Sequence, residues 1–241
     1  MKIVDKKQIL ILGDSHAREY FGSTNLKGKL KPKDLRMNHV QADYHFDVHC
    51  VSGATAQGAV NPSSKTQALS IFKKTLSIIN PDNYSHIAIM LGEVDCGFVI
   101  WYRSEKYSIP VEDQLKLTTK NLFDFLDQEV VPLFSPNKII LIGSVLPTIK
   151  DNQNWGEIAH LRGSIKATQL ERTNLTLRYN DILKQKSSTL GSNYIDITRD
   201  TLNKNTHLID DNYLNSNKND HHLSFEKTWK FWIKNLNKTL Q

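Results

Sequence analysis

The 241-residue sequence sets 31 Lys and Arg against 25 Asp and Glu, a formal charge of +6, and 39% of its residues are hydrophobic. That length can bury one large core, and no apolar run nears the roughly 20 residues that a membrane span needs. The charge favours anionic partners such as acidic glycans or phosphorylated ligands. It does not point to nucleic acid: the densest basic run, Lys27, Lys29, Lys31, Lys33 and Arg36, has no interleaved aromatics and reads as a solvated loop face.

In chain order, residues 1–7 lead straight into an apolar run without the long apolar region or small-residue cleavage site of a signal peptide, so a cytoplasmic chain is expected. Residues 9–12, Ile-Leu-Ile-Leu, bounded by Gly13, read as a buried strand. A short helix is expected over 17–25, a loop or insertion over 27–43, and a second strand over 44–51 that delivers Ser52-Gly53-Ala54 to the edge where Ser15 stands. A helix starting at Pro62-Ser63-Ser64 shows Ala68, Leu69, Ile71, Phe72, Leu76 and Ile79 at helical spacing and stops at Asn80-Pro81. Residues 87–91 form a third strand ending in Gly92.

Residues 98–107 read as a ligand-side loop that concentrates Trp101, Tyr102, Arg103 and Tyr107. Aromatics beside an arginine suit stacking on sugar rings or clamping an anion, and equally suit hydrophobic packing. An amphipathic helix follows over 111–134, then a fourth strand over 138–144, a long charged helix over 161–190 and a fifth strand over 193–198. A loop rich in Asn and Asp, 203–220, precedes a final helix over 225–240. Strand and helix alternate with no repeat or linker. Residues 1–241 are therefore expected to form one α/β domain, a flavodoxin-like doubly wound three-layer α/β/α sandwich on a mainly parallel five-stranded sheet. Cys50 and Cys96 lie near strand ends, would stay reduced in a cytoplasmic setting and lack the spacing of a metal site, so no metal is expected.

In open α/β sheets, ligands bind beyond the carboxyl ends of the strands, and Gly13-Asp14-Ser15 stands at such an end. A helix starting near Ser15 aims its free N–H groups and positive dipole end at any oxyanion formed beside the hydroxyl. Taken alone, the turn reads first as a helix N-cap made by Asp14 or Ser15.

Three further stretches change that reading: Gly53 in Val51-Ser52-Gly53-Ala54-Thr55, then Gly92-Glu93-Val94-Asp95, then Asn219-Asp220-His221-His222-Leu223-Ser224. With Gly13-Asp14-Ser15 they resemble, in order and over nearly the whole chain, the four blocks of the SGNH/GDSL hydrolase superfamily. The resemblance implies Ser15 as nucleophile, His222 in preference to His221 as the base that takes its proton, and an oxyanion hole built from the N–H groups of Ser15 and Gly53. It departs from the family twice. The family's orienting Asp sits three residues before the base, where this chain has Asn219, so Asp220 is the candidate acid, with Asn219, Asp210 and Asp211 as alternatives. The third block's oxyanion-binding Asn is replaced by Val94, which leaves Arg103, Asn61 or a backbone N–H to substitute.

Asp14, Glu93, Asp95, Trp101 and Arg103 are the candidates for substrate binding, and Glu93 reads equally as a structural turn carboxylate. The function implied is a serine-dependent ester hydrolase or O-acyltransferase, O-acetyl in the first instance, acting through an acyl-enzyme on a small-molecule or glycan ester. No cofactor is expected, with acetyl-CoA as a candidate acyl donor, and the oligomeric state is not legible. The alternative is a glycan-binding module that keeps the fold with impaired catalysis, on the evidence of Val94 and Asn219. A phosphate-binding flavodoxin-like domain is weaker, because no Gly-rich phosphate loop is present.

Overall fold

The structure, a computed structural model, describes residues 7–22, 43–153 and 155–240. The basic run at 27–36 and the loop expected over 27–43 lie outside the described residues apart from Asp43.

Strand β1 (Lys7–Gly13) and helix α1 (Ser15–Phe21) are followed by β2 (Tyr44–Cys50), α2 (Ala68–Ile78) and β3 (His86–Met90). Next come α3 (Ile100–Tyr107), α4 (Val111–Phe125), β4 (Ile139–Ile142), α5 (Glu157–Arg162) and α6 (Gln169–Leu190). The chain closes with β5 (Asn193–Ile195), α7 (Thr198–Thr201) and α8 (Phe225–Thr239). The strands form one sheet in the order β2-β1-β3-β4-β5, every pairing parallel. This is the flavodoxin-like order, in which the chain reverses direction across the sheet beside the first strand.

Alternation in the strands sorts the core into two layers. Leu10, Leu12, Ile87, Ile89, Ile139 and Leu141 face one side, under α2, α4 and α6. Ile9, Ile11, Ala88, Met90, Ile140 and Ile142 face the other, under α1 and α8, where Tyr20, Phe21 and Trp232 pack together. Because β1 has neighbours on both edges and helices on both faces, its middle is apolar throughout.

Several expectations change. The helix expected to start at Pro62-Ser63-Ser64 begins only at Ala68, after turns that run to Gln67. Residues 98–107 are helical, not a loop: a π-helical turn, Asp95–Val99, runs into α3, and the Trp101 indole donates to the Cys96 carbonyl at 2.8 Å while its ring packs on the core. The helix expected over 161–190 is two. Thr168 caps α6 with the Glu171 N–H, and the Glu171 carboxylate accepts from the Thr168 N–H, a capping box that stops the helix from extending backwards. The helix expected over 111–134 ends as α4 at Phe125 and passes through a π-helical turn, Leu126–Val130. Among the described residues no helix is long and apolar enough to cross a membrane.

The third-strand turn depends on Gly92, at φ 127°. A Cβ there would lie 2.3 Å from the ring of Tyr179, a buried side chain whose hydroxyl donates to the Leu91 carbonyl at 2.9 Å. Gly92→Ala is expected to cost about 2–4 kcal/mol through combined backbone strain and overpacking. Urea unfolding measures it, and a loss under about 0.5 kcal/mol would mean that Tyr179 moves aside freely.

Candidate active site

Ser15 stands where β1 gives way to α1. The Asp14 N–H donates to the Met90 carbonyl at 3.2 Å and the Val51 N–H to the Gly13 carbonyl at 2.9 Å, so the ladder continues past β1 on both sides and fixes the turn. The Asp14 carboxylate caps α1 by accepting from the His16 N–H at 2.8 Å. Ser15 is then the first helical residue, and its N–H is one of the donors that a helix leaves without an internal partner.

His222 reaches Ser15 from the loop before α8. The loop is tied down at Leu223, whose N–H donates to the Tyr20 hydroxyl at 3.1 Å, and at Ser224, whose N–H donates to the Tyr213 carbonyl at 2.8 Å. His222 Nε2 lies 3.0 Å from Ser15 Oγ, and Nδ1 lies 2.6 Å from Asp220 Oδ1. A carboxylate only accepts, so Nδ1 carries the proton and Nε2 presents its lone pair to the serine hydroxyl. Asp220 is further held by the His222 N–H at 3.0 Å and the Asn215 amide at 3.1 Å. Half-burial would raise the Asp220 carboxyl, but the hydrogen bonds and charge from His222 outweigh it and bring it down to about 2. Burial, followed by the neighbouring His16, lowers His222 below the usual histidine range, which Asp220 offsets only in part.

The cleft over Ser15 holds about 330 Å3. Ser52, Gly53 and Val94 form one wall and Phe98, Ile158 and Leu161 an apolar one, with Arg18, Arg162 and His221 at its polar edge. Gly53 adopts φ 75°, and a Cβ there would meet the Thr66 methyl at 3.7 Å, an ordinary van der Waals contact. A second cavity of about 290 Å3 meets the first at His221 and presents the half-exposed Trp155 with Gln153, Asn215 and Lys218.

Beneath the cleft lies a buried charge cluster. Arg162 grips Glu93 with two parallel bonds, Nη1 to Oε1 at 2.7 Å and Nη2 to Oε2 at 2.9 Å. Burial alone would raise Glu93, yet Arg162 and then His16 hold it well below the usual carboxylate range. Gly97 is what permits this approach, because a Cβ there would lie 2.8 Å from Arg162 Nη1 and 3.0 Å from Glu93 Oε1. His16 sits on the pair, with Nε2 3.8 Å from Glu93 Oε2 and Nδ1 3.2 Å from Asp14 Oδ1.

No protein-family model matches the chain, and no curated protein matches it in sequence. Solved structures do match in three dimensions. One is a GDSL-like lipase from Bacteroides thetaiotaomicron, at 13% identity over 96% of this chain and 88% of that one, TM-score 0.55. A carbohydrate acetylesterase family member from Sinorhizobium meliloti aligns at 14% identity over 97% of each chain, TM-score 0.56. An acetyl-xylooligosaccharide esterase from Geobacillus, solved as a mutant, aligns at 15% identity over 100% of this chain and 96% of that one, TM-score 0.55. The chain has the SGNH/GDSL hydrolase fold.

On this SGNH scaffold Ser15, Gly53, Asp220 and His222 come together, although 207 residues separate Ser15 from His222. Asn219 is exposed and donates its backbone N–H to the Asn217 side chain, while Asp210 caps a turn and Asp211 pairs with Lys150. The five substrate-binding candidates do not line the cleft. Asp14 is spent as the α1 cap and Glu93 on Arg162. Asp95 is fully buried and accepts from the N–H groups of Ala56 at 2.7 Å and Gln57 at 3.0 Å, tying the second block's loop to the third. Trp101 faces the core because α3 is a helix, and Arg103, two residues further along it, is not among the residues that line the cleft. Asn61 caps its own turn.

The residues missed from sequence are Phe98, Ile158, Leu161, Arg18, His16 and Arg162. Phe98 belongs to the aromatic cluster already singled out and stacks on Tyr102 at 5.5 Å. Arg162 gave no signal, being read as one more exposed charge on a long helix. His16, His221 and His222 also set ligand atoms within 4.8 Å of one another, a spacing that suits a transition metal. Both nitrogens of His222 are engaged, by Ser15 and Asp220, so a metal there would displace the serine contact.

Removing one member of a buried ion pair strands the other, so Arg162→Met is expected to cost about 3–5 kcal/mol. Adding Glu93→Gln should recover most of that loss. Urea midpoints for the single and double variants test this, and a single variant as stable as the parent would mean that water reaches Glu93.

Proposed function

We propose that this chain is a serine-dependent carboxylic ester hydrolase acting on an O-acylated, in the first instance O-acetylated, carbohydrate or glycan through an acyl-enzyme on Ser15. The observation that carries the reading is the unbroken relay from Ser15 Oγ through His222 to Asp220, at 3.0 and 2.6 Å. Such geometry is what activates a hydroxyl that is otherwise a poor nucleophile.

His222 Nε2 takes the hydroxyl proton as Ser15 Oγ bonds to the ester carbon, and the electron pair of the carbonyl moves onto its oxygen. The N–H groups of Ser15 and Gly53 are the oxyanion donors in this reading. Collapse of the intermediate breaks the bond to the alcohol, which leaves with the proton from His222. Water, deprotonated by the same imidazole, then releases the acid and restores Ser15. Asp220 orients His222 and stabilises its charged form without taking the proton.

The carbohydrate part is supported by the second cavity, where the exposed Trp155 offers a sugar ring a flat apolar face beside the polar ends of Gln153 and Asn215. The apolar wall of Phe98, Ile158 and Leu161 suits the acyl group. Acyl transfer to a sugar hydroxyl is the second reading. A third cavity of about 550 Å3, on the far side of Arg162, is lined by Lys150, Lys166 and Arg172 against Asp151 and suits the anionic part of a donor such as acetyl-CoA.

Fluorophosphonate labelling separates an enzyme from a binding module that has kept only the fold. The parent should be labelled on one serine, and Ser15→Ala should lose both the label and ester turnover while melting at the same temperature. An unlabelled parent rejects the reading. The replaced Asn gives a second test: with two backbone donors only, Val94→Asn should raise kcat by about tenfold or more, set against the roughly hundredfold or greater loss when a native donor is removed, and leave KM nearly unchanged. A drop in kcat would mean that the oxyanion position is already filled.

A further inference from the structure

We propose that His16 is a positioning residue that stands protonated beside His222 and, by like-charge repulsion, keeps that imidazole free to accept the Ser15 proton in mildly acidic solution. The inference rests on the reading of Ser15 and His222 as nucleophile and base.

The first ground is the placement of the His16 ring. It is buried, with Nδ1 3.2 Å from Asp14 Oδ1 and Nε2 3.8 Å from Glu93 Oε2. A neutral imidazole has one N–H and one lone pair, so one of its nitrogens would turn a lone pair on a carboxylate. Only the imidazolium, with an N–H on each nitrogen, suits both neighbours. Among the described residues Nε2 has no hydrogen-bond partner, and the Glu93 charge faces it across 3.8 Å.

The second ground is charge balance. Asp14 and Glu93 carry two negative charges, and Arg162 supplies one positive charge through its two bonds to Glu93. With His16 protonated the four groups sum to zero; with His16 neutral a net negative charge is left in a site from which water is excluded, and that is expensive. Burial alone would discharge His16, but the carboxylates of Glu93 and Asp14 outweigh burial and the opposing Arg162, so it holds its proton above the ordinary histidine range.

The third ground is where that charge points. The His16 ring lies 4.5 Å from the His222 ring and 5.4 Å from that of His221, centroid to centroid. His222 is faced by Asp220 and His221 from its own loop and by Ser15, His16 and Glu19 from α1, of which Asp220 and Glu19 favour its charged form. His16 is faced by Asp14 and Tyr20 from its own segment, by Glu93 after β3, by Arg162 from α5 and by the two loop histidines. His221, 4.1 Å from His222, is brought down to about 3 by burial and by the charge of His222. It is therefore neutral through the working range and adds no field. Beside burial, His16 is the neighbouring charge that offsets Asp220. A base so held is available at lower pH and is correspondingly weaker, which is the compromise that general-base catalysis imposes.

Imidazole 15N resonances, followed against pH, test the inference directly. In the parent, His16 should keep imidazolium shifts above the ordinary histidine range while His222 turns neutral below it. In His16→Gln, whose amide still donates one hydrogen bond, the His222 midpoint and the acid limb of kcat/KM should both move up by about 1 pH unit, with the plateau equal or higher because the freed base is the stronger one. A purely structural role would lower the plateau and leave both midpoints where they are. His16 found neutral at pH 6 in the parent overturns the inference, as does an unmoved His222 midpoint in the variant. Should the variant not fold, the parent titration alone decides. The resonances need no turnover: a His222 midpoint that moves in a chain that hydrolyses no ester keeps this inference and rejects the proposed function.

Discussion

A guanidinium and a carboxylate, both nearly out of water, join the end of the third strand to a helix 69 residues further along the chain. Two parallel hydrogen bonds set the angle between Arg162 and Glu93 as well as their distance, which a lysine in the same place would not do. The consequences spread from there. Helix α5 is brought over the sheet's carboxyl edge, so Ile158 and Leu161 become a wall of the cleft. Glu93 is locked below the turn and cannot reach a substrate. Gly97 must lack a side chain for the pair to close. A buried ion pair is weak evidence of stability for its own sake, since desolvation offsets most of the attraction. Here its value is geometric.

Above that pair, the position of Ser15 follows from backbone bonds and one local side-chain cap. Continuation of the ladder on both sides of β1, together with the Asp14 cap, leaves Ser15 one conformation and starts a helix whose free N–H groups face the cleft. The histidine loop is less regular, and its placement relies on side chains. Tyr20 receives the Leu223 N–H, and the Thr148 hydroxyl donates to the His221 carbonyl. Helix α1 therefore carries the serine and also the tyrosine that steadies the partner loop, so the two halves of the relay cannot drift independently.

Val94 gives the site its particular character. Where the family resemblance leads one to expect an amide donor, the wall is apolar, and the acidic and aromatic residues expected nearby are drawn into the core or into ion pairs. What remains over Ser15 is a mostly apolar cleft with cationic edges at Arg18 and Arg162, opening at His221 into a more polar cavity with an exposed tryptophan. On the proposed reading, a site with two backbone donors depends more heavily on how well its base is poised, and the charge cluster around His16 bears on that base.

Local signals were enough for the fold. Continuous apolar runs of strand length, the glycines after three strands and the order of alternating elements specify a parallel sheet with helices on both faces, because strand burial and crossover handedness leave few other arrangements. The turn at Ser15, the glycine at 53 and the pair Asp220-His222 were legible for a related reason: each is tied to a strand end or to its near neighbour in sequence. The boundary of α6 is also written locally, in Thr168-x-x-Glu171, beneath a longer run of helix-forming residues that masks it. Tertiary structure alone decided the fates of Glu93, Asp95, Trp101, Arg103 and Arg162. Whether a charged or aromatic side chain faces a ligand, the core or an opposite charge depends on which distant element lies across from it. Those partners, 69 residues apart for Glu93 and Arg162 and 39 for Asp95 and Ala56, meet only when the sheet has closed.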